Sequence, residues 1–187
     1  MRYDESMRLA DARKLFFRRG GFACDGGYAA ACVRFRLGPA AFAIPNTAAR
    51  RRAVPLHDLH HIVTGYDTTW TGEAEIAAWE LGSGCSRYGA AWALNLMAFP
   101  LGLLIAPRRT WRAFRRSRSH DNLYNESWQD AWLEETVGAM SLRLGLNRPP
   151  TSSAPIDLVL FILCALPALV GIAGLAAGAG LLWRWFA

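Results

Sequence analysis

His57-Asp58-Leu59-His60-His61, followed after eleven further residues by Glu73, is the stretch around which the chain organises itself. Three of the four histidines of the protein fall within these five residues. In a helix, His57 and His61 stand at i and i+4, one above the other on a single face. Asp58 sits one position round, three residues before His61. The intervening Thr64-Gly65-Tyr66-Asp67-Thr68-Thr69 has turn chemistry, a glycine that ends one helix and side chains that cap the next. A second helix is therefore predicted from Thr68 to Leu81, returning Glu73 to the histidines. Two imidazoles and two carboxylates then converge across a helical hairpin. That donor set suits a divalent metal, zinc above all.

The flanks agree with this reading. Val54-Pro55 is a helix start just before His57, and Gly72 beside Glu73 permits close approach between the helices. His60, at i+3 from His57, shares much of the same face, either as a spare ligand or as a group behind the ligands.

The pattern His-Asp-x-x-His, eleven residues, then Glu resembles the signature of the coenzyme Q (ubiquinone) biosynthesis protein 4 family. It is matched here by His57, Asp58, His61 and Glu73, and Pro55 to Tyr66 and Gly72-Glu73-Ala74 also resemble bacterial members. A looser echo lies in Trp128–Leu133 and in Leu142-Arg143-Leu144-Gly145-Leu146, so that the resemblance spans roughly residues 25 to 147. It implies oxidative decarboxylation at C1 of a polyprenylated hydroxybenzoate, with a carboxylate exchanged for a hydroxyl. It equally implies a non-catalytic scaffold that binds prenyl lipid and gathers other quinone-biosynthesis enzymes. On the first reading His57, Asp58, His61 and Glu73 carry both the metal and the chemistry. Asp58 is then a fourth ligand or the group that orients a histidine.

Outward from the motif, residues 1–24 form a basic segment read as a frayed terminus or a short surface helix, and not as a secretory signal. Residues 25–148 form the helical domain, 149–155 a Pro/Ser linker and 156–187 a membrane anchor. The fold class is all-α: one helical domain plus a C-terminal transmembrane helix. Tyr28 to Leu37 reads as a helix stopped by Gly38-Pro39, and Arg50-Arg51-Arg52 as a solvated turn or a receiver of anionic substrate. Gly89 to Ala106 is an uncharged run, short of the roughly 20 residues a bilayer needs, and reads as a core helix that accepts the prenyl tail. Asn125 to Leu146 carries Trp128, Trp132, Leu133, Val137, Met140 and Leu144 at helical spacing and reads as one amphipathic helix.

The net charge of +6 is almost wholly arginine, since Lys14 is the single lysine. Arg108, Arg112, Arg115 and Arg116, with Trp111 and Phe114, point to an anionic membrane surface. No nucleic-acid fold accompanies them, which sets nucleic acid aside as a partner. Cys24, Cys32, Cys85 and Cys164 show neither disulfide nor Cys-metal spacing, as in a reducing compartment. Leu158 to Leu182 holds no charge and ends in Trp183-Arg184-Trp185, as a membrane-spanning helix would; Gly174-x-x-x-Gly178 suits a homodimer. The arginine load before this segment places the domain on the cytoplasmic side of a bacterial inner membrane. Such a segment departs from the family domain.

Overall fold

The computed structural model describes residues 2–37, 40–85, 87–149 and 153–186. Among these residues seven α-helices and one β-hairpin follow in the order α1 (Leu9–Gly20), β1 (Cys32–Leu37), β2 (Ala40–Pro45), α2 (Ala48–Thr64), α3 (Trp70–Ser83), α4 (Gly89–Ile105), α5 (Pro107–Ser117), α6 (Val137–Arg143) and α7 (Ala154–Phe186). The fold is mostly helical, as expected. Helices α2 and α3 form the anticipated hairpin. Gly65 closes α2 in the left-handed region (φ 80°) and its N–H returns to the His61 carbonyl at 3.0 Å. The Thr69 hydroxyl accepts from the Gly72 N–H to start α3. A Cβ on Gly72 would collide with the Asp67 backbone, so this glycine serves the turn and not a helix–helix approach.

Several expectations fail locally. Helix α2 begins two turns earlier than Val54-Pro55, on a Thr47 cap, which places Arg50-Arg51-Arg52 inside the helix. Cys32–Leu37 is a strand and not part of a helix. It pairs antiparallel with Ala40–Pro45, Val33 opposite Ile44 and Phe35 opposite Phe42. Val33, Phe35 and Leu37 alternate with Arg34 and Arg36, the period of a strand. The expected stop at Gly38-Pro39 lies outside the described residues. The basic N-terminus is no frayed end: α1 buries Leu9, Ala12, Phe16 and Phe17 in the core. The Leu9 N–H is donated to the Glu135 carbonyl, and the Val137 N–H to that of Met7.

The single helix expected from Asn125 to Leu146 is broken into two 3-10 turns (Leu123–Asn125, Asp130–Glu134) before α6 starts on a Thr136 cap. Trp132, Val137, Met140 and Leu144 are still buried. Asn122 and Thr136 explain the breaks, because each turns its side-chain oxygen to a backbone N–H and restarts the chain.

Helix α4 is only half core. Ala91, Asn95, Phe99 and Gly102 are buried, whereas Met97 and Leu104 are 69% and 75% exposed. The basic face of α5 is largely consumed by the protein itself. Arg115 and Arg118 pair with the buried Asp157 of α7, Arg109 grips Glu75 with two hydrogen bonds, and Arg116 lies over the Tyr66 ring. Trp111 and Phe114 point inward, edge to face with Phe161 of α7. Among the described residues only Arg108 and Arg112 of the four proposed arginines are exposed without a polar partner.

The segment beyond Pro155 is thus attached to the domain at its start. Asp157, Phe161 and Ala165 bind the first turns of α7 to α4 and α5. The linker assigned to 149–155 falls partly on residues 150–152, outside the described ones. The crossing expected at Leu158–Leu182 is not found: among the described residues no helix is long and apolar enough to cross a membrane. Several side chains of that segment, including all those after 177, are outside the description.

Phe161→Ala removes a ring packed on Phe99, Trp111 and Phe114. It should lower stability by about 2–3 kcal/mol, under the roughly 3–5 kcal/mol of a fully buried aromatic because the ring is only partly buried. A circular-dichroism melt checks this, and an unchanged midpoint would detach α7 from the folded body.

Candidate metal centre

The metal motif is built from the facing sides of α2 and α3. His57 and His61 stand one turn apart on α2, with rings edge to face and centroids 4.6 Å apart. Their Nε2 atoms are 3.1 Å from each other. Glu73, in the first turn of α3, presents one oxygen to each: Oε2 lies 3.4 Å from His57 Nε2 and Oε1 lies 3.5 Å from His61 Nε2. One donor atom from each of the three residues lies within 4.8 Å of the others, close enough to hold a single ion.

The outer nitrogens decide the tautomers. His57 Nδ1 is 2.9 Å from Glu80 Oε1, and a carboxylate only accepts, so Nδ1 carries the proton. His61 Nδ1 donates to the Tyr66 carbonyl at 3.2 Å, reachable because Gly65 turns the chain back over the helix end. With both Nδ1 protons committed, both Nε2 lone pairs face each other and Glu73. Only a cation, a proton or a metal ion, makes that juxtaposition favourable. Burial would lower the His57 pKa, but the Glu80 and Glu73 carboxylates overcome it and hold the imidazole well above its ordinary value. Glu73, which burial would raise, is held below the usual carboxylate range by His61 and His57.

Glu80 joins the cluster from behind, and the motif did not reveal it. It is fully buried, and its Oε1 accepts from His57 and from His60 Nδ1 (2.7 Å), while its Oε2 accepts from Asn95 Nδ2 of α4 (2.6 Å). Burial acts to raise its pKa, yet His57 and His60 keep it ionised and below the ordinary range. His60 is thereby removed as a ligand. Its Nε2 accepts the Leu123 backbone N–H at 3.0 Å, so both ring nitrogens are spent within the protein. A signal was present: Glu80 follows Glu73 by seven residues, two helical turns along the same stripe.

Asp58 is placed beside the cluster and not within it. Its Oδ2 accepts the Tyr28 hydroxyl at 2.6 Å, and burial pushes its carboxyl pKa up. Of the four residues in the motif, the structure brings His57, His61 and Glu73 together as a group that could hold an ion. These two imidazoles and one carboxylate fit a divalent ion with coordination positions left over, the arrangement of a Lewis-acid site. On one side the site is closed by Phe16, stacked on His61 at 5.5 Å. Arg50, half-buried and electrostatically coupled to Asp58, lies two turns before His57 on the same stripe of α2.

Comparison of the chain with protein-family models, with curated proteins and with solved structures finds no match.

His57→Ala with His61→Ala should abolish retention of one equivalent of divalent metal by elemental analysis. Glu80→Gln should weaken affinity about 10- to 100-fold, because it frees the His57 ring to turn while leaving all three ligands in place. Since the raised His57 proton must leave before an ion binds, affinity should fall as pH is lowered. Full retention by the double variant would contradict the site.

Proposed function

We propose that the protein is a metal-dependent enzyme of ubiquinone synthesis acting on a polyprenylated hydroxybenzoate. The observation that carries this reading is the spacing of His57, Asp58, His61 and Glu73, which resembles the family signature while three of the four converge closely enough to hold one ion. Zinc held by His57, His61 and Glu73 would act as a Lewis acid toward the carboxylate and phenolate oxygens of the substrate. Zinc has no redox chemistry of its own, so an oxidant is required. In the reaction the C1–carboxylate bond breaks with loss of CO2, and a C1–oxygen bond forms from water. Dioxygen takes the electron pair and two protons as hydrogen peroxide.

The residues of the chain serve this by orientation. Glu80 and the Tyr66 carbonyl keep both Nε2 atoms aimed inward. Arg50, whose Nε is buried without a partner, supplies a positive charge for an anionic head group. The uncharged run that forms α4 keeps an apolar outer face for the prenyl tail. The protein works at the cytoplasmic face of a bacterial inner membrane, alongside other quinone-biosynthesis proteins.

One observation favours the scaffold reading. The side chains of His57 and Glu73 are 23% and 34% exposed, a surface position that also suits an ion clasping the hairpin without chemistry.

Deleting the gene and profiling lipids by mass spectrometry separates these readings. A catalyst predicts a prenylated intermediate that retains its ring carboxylate, rescued by the wild-type chain and not by the His57→Ala, His61→Ala variant. Rescue by that variant would leave only the scaffold, and an unchanged quinone pool would overturn both.

A further inference from the structure

The exposed large apolar side chains of this protein are not scattered. Four lie on α4 and eight on α7, against three elsewhere among the described residues. The two helices are neighbours, joined through Phe99 and Phe161 at 5.0 Å. Each turns one stripe inward, Asn95 and Phe99 on α4 and Asp157, Phe161 and Ala165 on α7. Each turns the opposite stripe outward: Met97 and Leu104 on one, Val159, Leu163 and Leu166 on the other. An exposed apolar area on two adjacent helices marks an interaction surface.

Charge selects the occupant. Helix α4 has no acidic residue, and the only one on α7, Asp157, is buried and ion-paired. At the ends of α4 stand exposed arginines, Arg87 before it and Arg108 and Arg112 after it. If two copies met through this patch about a two-fold axis, the same arginine-rimmed surface would face itself. A bilayer with anionic headgroups accepts both features, apolar side chains at the acyl boundary and arginines among the phosphates.

We infer that the outer faces of α4 and α7 dock in the plane of an anionic bilayer, with Arg108 and Arg112 at headgroup depth. This rests on the reading of the protein as one that works at a lipid surface. It assigns α4 a double role. Its outer face meets lipid, while on its inner face Asn95 holds Glu80, the carboxylate that orients His57. The metal centre then lies about one helix diameter, roughly 10 Å, above the acyl boundary, within reach of a head group whose prenyl tail remains in the membrane.

The test uses the full chain in vesicles with brominated acyl chains. Met97→Trp adds one emitter to the outer face of α4, and its emission is isolated by difference from the wild type. Leu142→Trp, on the exposed face of α6, is the control. The difference emission of the Met97→Trp variant should be quenched by brominated chains and shielded from aqueous iodide in vesicles containing phosphatidylglycerol. Quenching should weaken in pure phosphatidylcholine and when Arg108→Gln and Arg112→Gln are added, while the control stays open to iodide. Iodide quenching in every vesicle would put α4 in water and overturn the inference. Shielding from both quenchers, with the chain cross-linking as a dimer through α4, would overturn it in favour of a second copy. Equal quenching with and without anionic lipid would overturn the headgroup assignment. A water-facing α4 in a chain that still restores ubiquinone sinks the docking and leaves the enzymatic reading; a docked α4 in a chain whose deletion leaves quinones untouched does the reverse.

Discussion

A single buried carboxylate, Glu80, ties together four parts of the chain. It accepts from His57 and His60 of α2 and from Asn95 of α4 while itself belonging to α3; through the far nitrogen of His60 it reaches the Leu123 backbone. Taking a carboxylate out of water costs several kcal/mol, and the cost is recovered only if its lone pairs are filled by well-aligned donors. Three short hydrogen bonds do so here. Their donors are in turn left without acceptors if Glu80 is removed, so the network is stable as a whole and costly in fragments.

The geometry of the candidate metal centre follows from that network. His57 and His61 are fixed from behind by different means, a carboxylate for His57 and a carbonyl delivered by the Gly65 turn for His61. Glu73 completes the set because the same turn starts α3 with its first helical residues beside the end of α2. His57 and Glu73 are partly exposed, and Glu80, which orients His57 from behind, is buried. Site and surface share α4, whose inner stripe carries Asn95 and whose outer stripe carries Met97 and Leu104.

Much of the centre is legible in the amino-acid sequence. The i, i+4 histidines, the Gly65 and Thr69 caps and the distance to Glu73 are local features, and local physics places them correctly. What the sequence does not reveal is set by tertiary contacts. Glu80 and Asn95 look like ordinary polar residues on apolar helices until burial shows what they hold. Asp58, adjacent to His57 in the chain, is drawn off to Tyr28, a residue thirty positions earlier. The β-hairpin is hard to read because Val33, Phe35 and Leu37 offer only three alternations, and the 125–146 segment because its apolar spacing fits broken turns as well as a helix. For α7, the uncharged run hides the fact that Asp157 and Phe161 at its start belong to the domain.

The central claim is that His57, His61 and Glu73 surround one divalent ion with nitrogen and oxygen only. X-ray absorption at the zinc edge of the purified, zinc-loaded chain tests it directly. The account predicts a first shell of nitrogen and oxygen at about 2.0–2.2 Å, with the outer scattering of two imidazoles and no sulfur. A sulfur shell at about 2.3 Å, or a shell without imidazole scattering, would contradict it.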